Sequence, residues 1–392
     1  MAILDFLHKV QMALESKKNC IAVYIDLSKA FDTVNHEILL NKLYHYGVRG
    51  SAHLWFKSYL YNRQQYTVFD STKSNKTKIS CGVPQGSILG PILFILYIND
   101  ITNSCNILNF TIFADDTSIL SSHEDIQYLT NIMNEELSQI DDWLKANKLS
   151  LNCGKTKFMV FKCTQSKNNY IPKLYIRTHC LKQIQNTEFL GLIIDDKLSW
   201  KDHVKHVKLK VSQCIGVLYK IRDKLNLHAL KTIYFSLIFS YINYCLLIWG
   251  SANKTLLLPI FKLQKQFLRL STYSEWRAPS EPLFKRLNIL KFEDVFKLHV
   301  AQFVSNCIKR PKGFPKNLFT EFFISNSQIH NRDTRNKYDI KVFKYKSEHG
   351  KKSIMRQGQV IWNELPLFLR QINCSAKFKS DLKKYTLNKY EG

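Results

Sequence analysis

Apolar positions near the start of the chain follow first a helical and then an extended period. Their spacing over residues 2–16 predicts an amphipathic helix, and the run from Cys20 to Ile25 is short, apolar and β-prone. Such a run is typical of a buried central strand. We predict that this strand ends at Asp26, where a charged side chain is costly unless it caps a helix, faces solvent or binds a partner.

A second pair of strand patterns surrounds the run from Phe113 to Thr117. Apolar, β-branched residues at 107–113 and 117–120 flank this run, which predicts a tight hairpin. The tip of the hairpin carries Asp115 and Asp116, and adjacent carboxylates repel each other. A braced turn with two such groups favours a bound divalent cation, because hard cations prefer carboxylate oxygens.

The remaining pattern of the first 160 residues alternates helices with short strands. Helices are predicted at 36–48, 52–60, 88–98 (buried) and 126–144, a hairpin at 63–80 and a strand at 155–161. Residues 121–124 have the form of a capping box for the long helix predicted at 126–144. A Gly- and Pro-rich loop at 81–87 precedes the buried helix. This order predicts an α+β fold around a small antiparallel sheet.

The pattern changes after about residue 163. Polar residues at 164–169 indicate a boundary, strand candidates follow at 174–177 and 187–194, and mostly helical spacing begins near Trp200. Basic segments with aromatic residues lie at 309–312, 332–352 and 377–389. We therefore divide the chain into three regions, at 1–163, 164–290 and 291–392.

Charge narrows the choice of partner. The chain has 392 residues, with 57 Lys and Arg against 31 Asp and Glu, which is a formal net charge of +26. Such an excess favours a polyanion, foremost nucleic acid, over an anionic membrane surface. The ten scattered cysteines form no CxxC pair and no secretory signal precedes them, so we expect reduced thiols and an intracellular, preferably nuclear, location.

One apolar segment raises the question of a membrane. Residues 233–249 are the most membrane-like stretch, but the segment contains two Ser, an Asn and several Tyr. Its length and polarity favour a helix packed on the protein over a transmembrane helix. We expect no membrane partner. The alternative hypothesis, a membrane-associated basic protein, rests on this segment alone.

Taken together, these stretches resemble the reverse transcriptases of non-LTR retrotransposons, of the jockey-like and related kinds. Residues 24–32 (YIDLSKAFD) resemble the first palm motif, 82–91 (GVPQGSILGP) the second and 113–116 (FADD) the third. Weaker similarities involve the stretch that begins at Lys155, residues 189–191, the segment 237–250 that ends in Trp-Gly, and the tail at 361–366. Group II intron maturases and telomerase share the palm motifs.

The resemblance implies a right-handed polymerase fold. The region 1–163 would be the palm with partial fingers, 164–290 the end of the palm, the primer grip and a thumb-like region, and 291–392 a basic C-terminal region. Asp26 and Asp115 would bind two Mg²⁺ ions, with Mn²⁺ as the alternative, and Asp116 would complete the acidic site. Lys155 would protonate the leaving pyrophosphate or contact the nucleotide, although Lys157 could do so and either lysine could simply be solvated.

Further roles follow from the same resemblance. Phe31 would exclude a ribose 2′-hydroxyl, with plain core packing as the alternative for its ring. Pro84, Gln85 and Gly86 would position the incoming nucleotide and the template base. Leu190 and Gly191, which belong to the similar stretch 189–191, would form the primer grip. The implied partners are an RNA template, a DNA primer and dNTPs, with no small-molecule cofactor.

The chain also departs from the family. It lacks the basic finger motifs and the endonuclease that normally lie upstream, so we expect a fragment of an element polyprotein whose N-terminal part is a missing partner. We accordingly expect impaired polymerase activity. The competing hypothesis is a catalytically silent nucleic-acid-binding remnant. His203 and His206 have a metal-like spacing, but without Cys or carboxylate companions we interpret them as helix-surface residues.

Overall fold

The computed structural model describes residues 1–162, 170–309, 319–329 and 336–390. The chain divides into two compact units, Met1–Asn186 and Thr187–Gly392. The functional boundaries near residues 163 and 290 stay predictions. Several features predicted from the sequence lie outside the described residues, namely Cys163, the polar segment 164–169 and parts of the first two basic segments.

Strands are concentrated in the first unit. The strands are β1 (Asn19–Ile25), β2 (Gln64–Gln65), β3 (Val68–Phe69), β4 (Thr72–Lys73), β5 (Thr77–Lys78), β6 (Asn109–Phe113), β7 (Asp116–His123), β8 (Lys157–Phe161), β9 (Tyr175–Ile176), β10 (His179–Cys180), β11 (Lys182–Gln183), β12 (Asn186–Phe189) and β13 (Leu192–Asp195). The main sheet has the order β11-β8-β1-β7-β6. β1 is antiparallel to β7 and β8, while β11 runs parallel to β8. The predicted small antiparallel sheet is confirmed except at its edge, where β11 is parallel.

The central strand is buried along its whole length because helices cover both faces of the sheet. The helices of this unit are α1 (Ala2–Glu15), α2 (His36–His45), α3 (Gly50–Leu60), α4 (Leu89–Ile98) and α5 (Ile126–Ala146), with a 3₁₀ turn at Asn99–Ser104. Ile21 and Val23 of β1 enter the core that α5 completes. Tyr24, which must point to the opposite face, has its ring 6.0 Å from the ring of Phe6 in α1.

Two local predictions in this unit are wrong. β7 continues through the predicted capping box to His123, and the cap of α5 is Asp125, whose side chain accepts from the N–H of Gln127 at 2.8 Å. The side chain of an Asp can accept hydrogen bonds from the free N–H groups of the first helical turn as well as a capping box would. The predicted buried helix, α4, is buried on one face only, because Ile92 and Ile95 are about half exposed.

The second unit is mostly helical, as predicted. Its helices are α6 (Lys201–Ile221), α7 (Leu227–Ile233), α8 (Phe239–Asn243), α9 (Leu246–Trp249), α10 (Lys254–Thr272), α11 (Glu281–Leu287), α12 (Phe292–Lys309), α13 (Asn326–Ile329), α14 (Glu348–Lys352), α15 (Ile354–Asn363), α16 (Leu367–Arg370) and α17 (Ser375–Asn388). 3₁₀ turns lie at Arg222–Lys224 and Thr320–Phe322, and a π-helical turn lies at Tyr234–Ile238.

The apolar segment 233–249 is not one helix. The π-helical turn Tyr234–Ile238 interrupts it, and Cys245 adopts a left-handed backbone conformation with φ of 49° between α8 and α9. No helix in the described ranges has both the length and the apolar character needed to cross a membrane.

Candidate active site

The pairing of β1 with β7 places the predicted acids at one end of the sheet. Ile25 lies opposite Thr117, so the next position outward along each strand is Asp26 on β1 and Asp116 on β7. Asp116 also pairs with Phe113 across the β6–β7 hairpin, which leaves Ala114 and Asp115 as its two-residue turn. The register therefore brings together three acids that are up to 90 positions apart in the sequence.

The turn itself has an unusual backbone. Ala114 has φ of 54°, a left-handed conformation that costs an L-residue with a Cβ about 1–2 kcal/mol. Strain of this kind is often found at functional sites, where the surrounding structure maintains it. Here the two paired strands maintain it, and Asp115 and Asp116 are both exposed to solvent. The turn thus presents its carboxylates outward.

A polar turn before β8 holds the backbone of Asp26. The N–H of Asp26 donates to Oγ1 of Thr156 at 3.2 Å, and its carbonyl accepts from the N–H of Asn152 at 2.8 Å. Thr156 is buried, whereas Lys155 beside it is exposed in the same turn. Lys155 is a predicted site residue, whereas Asn152 and Thr156 are not, since nothing local in the sequence marks them as partners of Asp26, which is 130 positions from Thr156.

Electrostatic coupling joins the three acids. Although Asp116 is exposed as a residue, partial burial of its carboxyl group raises its pKa, and the negative charges of Asp115 and Asp26 raise it further. None of the three carboxylates forms an ion pair with a cation among the described residues. The acids therefore form an uncompensated negative patch at the end of β1 and β7.

The donor set suits a hard divalent cation but does not enclose one. Within the described ranges, no three His, Cys, Asp or Glu side chains lie close enough together to hold a metal ion. Mg²⁺ is commonly held by one or two carboxylates together with water and substrate phosphates, so it does not need a closed protein cage. The carboxylate chemistry and the unpaired charge fit such an open site.

The Gly- and Pro-rich loop is attached to the segment that follows β1. The N–H of Gly82 donates to the carbonyl of Val34 at 2.7 Å, and the N–H of Val83 donates to the carbonyl of Phe31 at 2.8 Å. Nε2 of Gln85 donates to Oδ1 of Asp32 at 2.9 Å. Two motifs that are about 50 residues apart in the sequence are thereby brought together.

The predicted nucleotide-binding residues differ in exposure. Phe31 is half-buried, with its ring centroid 4.5 Å from that of Phe94 on α4, which agrees with the core-packing alternative for this ring. Pro84 is partly buried, while Gln85 and Gly86 are exposed. The loop therefore has a packed side, where Phe31 lies, and an open side.

Two glycines of this loop meet opposite surroundings. A Cβ on Gly82, where φ is +90°, would lie 2.7 Å from the carbonyl oxygen of Asp32. Gly86 also has positive φ, +80°, but a Cβ there would meet no atom within 4 Å. Gly82 is thus required by packing within the loop, whereas Gly86 borders open space.

The predicted primer-grip residues lie in the second unit. Leu190 and Gly191 form the two-residue turn between β12 and β13, with φ of 47° and 75°. The hydroxyl of Tyr244 donates to the carbonyl of Leu190 at 2.6 Å, and a Cβ on Gly191 would lie 3.1 Å from the Tyr244 ring. The positive φ of residue 191 and the closeness of the Tyr244 ring together explain why this residue is a glycine.

The interpretation of His203 as a surface residue is wrong. It is 3% exposed, and its ring packs edge-on to Trp249 with centroids 5.4 Å apart. Burial lowers its pKa to about 4, with a smaller contribution from His206. His206 itself is exposed, as predicted. The apolar positions of α6 that flank His203 were the available signal, because they place it on the buried face.

The chain is similar to several known proteins. The family model for reverse transcriptase (RNA-dependent DNA polymerase) matches residues 2–194. The RNA-directed DNA polymerase from mobile element jockey of Drosophila melanogaster is 25% identical over 319 residues, which cover 79% of this chain and 34% of that protein. The probable RNA-directed DNA polymerase from transposon BS of the same species is 26% identical over 313 residues, or 75% of this chain and 33% of that protein.

The chain spans about a third of the length of these curated relatives. Among solved structures, telomerase from Candida albicans in complex with a fragment of telomeric RNA is 14% identical and covers 73% of this chain and 49% of that chain. Its TM-score of 0.30 is too low to support an argument about the fold. The family match and the similar polymerases agree with the three motifs: residues 2–194 match the reverse transcriptase family, and the chain is similar to RNA-directed DNA polymerases from mobile elements such as jockey.

Proposed function

We propose that the chain is an RNA-directed DNA polymerase that extends a DNA primer with deoxynucleotides along an RNA template. The observation that carries the proposal is the register of β1 and β7, which puts Asp26 beside the acidic turn at Asp115 and Asp116. Reverse transcriptase homology over residues 2–194 supports the same chemistry.

In this proposal the five-stranded sheet, covered by α1 and α5, is the polymerase palm. The short hairpins β2–β5 and β3–β4 belong to partial fingers; the region 1–163 holds these fingers and most of the palm, and the edge strand β11 belongs to the end of the palm in 164–290. The β12–β13 hairpin is the primer grip, and the region 164–290 ends in a thumb formed by helices from α6 onward. The region 291–392 is a basic C-terminal part.

The acids would supply the ligands for the reaction. Asp26 and Asp115 would hold two Mg²⁺ ions and Asp116 would add negative charge beside them, which matches the uncompensated patch at the end of β1 and β7. When bound, the ions would lower the pKa of the primer 3′-hydroxyl and neutralise charge on the triphosphate and the leaving pyrophosphate. The hydrogen bonds of Asn152 and Thr156 with the backbone of Asp26 would keep its carboxylate in position, although neither residue would contact the substrate.

The loop joined to this segment would orient the nucleotide. Phe31, held by Phe94, would present the exposed part of its ring against the sugar, while Gln85 and Gly86 would line the open side of the loop. Gln85 would first have to release Asp32, to which it donates in this conformation. The exposed Lys155 is a candidate for protonating pyrophosphate, and an alanine variant of Lys157 would test the competing assignment.

Extension of a DNA primer on an RNA template in the presence of Mg²⁺ tests the proposal. Asp115→Asn should reduce synthesis by about 10³-fold or more, because several kcal/mol of transition-state stabilisation would be lost. Asp70→Asn is the matched control, since Asp70 also lies in a two-residue hairpin turn, but in the separate hairpin of β3 and β4. It should leave synthesis unchanged.

The outcomes separate two functions. Synthesis that needs Mg²⁺ and is lost only in Asp115→Asn supports the polymerase. A wild-type chain that makes no product, yet binds RNA in a salt-sensitive manner without metal-linked affinity for dNTPs, would instead identify a silent nucleic-acid-binding remnant.

A further inference from the structure

A cavity in the second unit combines aromatic walls with lysine side chains. Its volume is about 290 Å³, near the lower end of the range of ligand pockets. We call it the lysine pocket and define it by six of its lining residues. These are Phe235, Phe239, Asn243, His299, Lys379 and Lys383.

The aromatic wall comes from the interrupted apolar segment. Phe235 lies on the π-helical turn and Phe239 begins α8, and their rings meet edge-to-face with centroids 5.5 Å apart. Phe235 remains 39% exposed. π-Helical turns are rare and are frequently found at functional sites.

The turn is firmly anchored on its other side. The neighbouring Tyr234 is fully buried, stacks on Phe267 with centroids 4.6 Å apart and accepts a hydrogen bond from Nε2 of Gln264 at 2.8 Å. The exposure of Phe235 is therefore a property of an ordered turn. An exposed aromatic ring on a rigid support is a suitable stacking surface.

The charge at the pocket is positive and uncompensated. Lys379 and Lys383 lie one turn apart on α17, and neither they nor Lys231 of α7 forms an ion pair with an acid in the described part of the chain. Burial lowers the pKa of Lys383, and the charges of Lys231 and Lys379 lower it further. Lysines held together without a counter-charge favour an anionic ligand.

Two polar side chains line the cavity as well, those of Asn243 and His299. Oδ1 of Asn243 is itself buried and finds no hydrogen-bond partner among the described residues. Burial lowers the pKa of His299, with a smaller contribution from Lys379, which keeps the imidazole neutral at neutral pH and able both to donate and to accept. The pocket thus offers aromatic surface, hydrogen-bonding groups and cations within one small volume.

We propose that the lysine pocket binds one nucleotide of a single-stranded nucleic acid, with the base stacked on Phe235 and adjacent phosphates held by Lys379 and Lys383. An aromatic platform beside backbone-tracking cations is the usual arrangement for single-strand binding, and His299 adds a hydrogen-bonding group for the edge of the base. The ligand is either an RNA or a DNA strand, since both present a base and a phosphate at this spacing.

Fluorescence anisotropy of labelled oligonucleotides of about 12 residues tests the proposal, because single-strand sites span about 4–16 nucleotides. The full chain is titrated in EDTA, so that metal-dependent binding at the acidic turn does not contribute. Parallel titrations with oligo-rU and oligo-dT distinguish an RNA ligand from a DNA ligand. Asp115→Asn should bind as the wild type does, which separates this test from the test of polymerase function.

The lysine pair has a matched control on the same helix. Lys379→Ala/Lys383→Ala should weaken binding by about tenfold and reduce the salt dependence of log K by about 1–1.5, as expected for two lost phosphate contacts. Lys377→Ala/Lys384→Ala removes the same charge from exposed positions of α17 that do not line the pocket. It should weaken binding by no more than about twofold.

The aromatic contact has its own variant. Phe235→Ala should weaken binding by about tenfold with an unchanged salt dependence, since stacking contributes about 1–3 kcal/mol per base. Phe235→Tyr keeps the ring and should restore affinity, which excludes a folding defect. Thermal unfolding by circular dichroism verifies that each variant is folded.

Three results would overturn the proposal. The control lysine pair could weaken binding as much as the pocket pair, which would indicate a general charge effect. Phe235→Ala could bind like the wild type. Lastly, vesicles of anionic phosphatidylglycerol could bind in a manner that depends on Lys379 and Lys383 while oligonucleotide binding does not, which would assign the pocket to a lipid headgroup.

Discussion

The acidic end of the main sheet and the lysine pocket both hold like charges that form no ion pair with an opposite charge among the described residues, but they do so in different ways. In the first unit, strand register and a two-residue turn carry Asp26, Asp115 and Asp116, so the backbone sets their position. In the second unit, Lys379 and Lys383 stand on one face of α17 beside an apolar cavity, so packing sets theirs. Each arrangement favours a ligand of opposite charge, a metal ion in one case and a phosphate in the other.

The difference matters for how each region can be recognised. The acids that the backbone positions occur in short, contiguous motifs. The two lysines that packing positions lie on one helix, more than 100 residues away in the sequence from the aromatic ring that lines the same pocket. The first arrangement is visible in a sequence and the second is not. Four experiments can break or sharpen the comparison.

The largest effect should be a separation of the two functions. Asp115→Asn should abolish primer extension while leaving single-strand affinity in EDTA unchanged. Lys379→Ala/Lys383→Ala should weaken affinity by about tenfold and leave extension at saturating template nearly intact. Steady-state extension assays over a range of template concentrations measure both. If either variant lost both properties, the two regions would not be functionally distinct.

The next experiment separates a glycine that stabilises the loop beside the acidic end of the sheet from a glycine that would contact the nucleotide. Gly82→Ala should lower the free energy of unfolding of the first unit by about 3 kcal/mol or more, because its Cβ would clash with the Asp32 carbonyl at positive φ. Gly86→Ala should cost only about 1 kcal/mol, from positive φ alone. Urea denaturation measures both. If Gly86→Ala also reduced dNTP incorporation, nucleotide contact at the open side of the loop would be supported.

The buried, neutral imidazole of His203 in the second unit contrasts with the charged acids and the charged lysines. Because burial lowers the pKa of His203 to about 4, the unfolded state binds its proton first as the pH falls from 6.5. The stability that the neutral imidazole provides is present above pH 6.5 and should fall by about 3 kcal/mol as the pH approaches 4.

Urea denaturation at several pH values measures this loss. His203→Asn should flatten the pH profile, whereas the exposed His206→Asn on the same helix should leave it as in the wild type. Equal profiles for the wild type and His203→Asn would show that another group controls acid sensitivity.

The smallest effect concerns repulsion among the acids. The raised pKa of Asp116 means that its contribution to stability is present below its unfolded pKa and is lost as the pH rises through the folded pKa. Asp116→Asn should therefore raise the stability of the first unit at neutral pH by roughly 0.5 kcal/mol, a value reduced for solvent screening, and have no effect in acid. Asp70→Asn should change stability at neither pH. A loss of stability in Asp116→Asn would contradict the idea of uncompensated charge.

Much of the first unit could be predicted from short-range pattern. The apolar run that became β1 and the flanked acidic turn were recognisable because each lies within about ten consecutive residues. The predicted capping box was wrong for the same reason, since β7 pairs with β1 as far as His123 and strand pairing prevailed over local capping preference. Local pattern also missed the exposure of one face of α4.

The sequence by itself determined the reverse transcriptase motifs, the strand that ends in Asp26 and the turn that presents Asp115 and Asp116. Only the tertiary structure decided that Thr156 holds the backbone of Asp26, that Gly82 is constrained while Gly86 borders open space, and that lysines of α17 stand beside Phe235. The physical reason is the range of the interactions: backbone propensity and charge repulsion between neighbours act along a few residues, whereas packing joins side chains that the sequence keeps far apart.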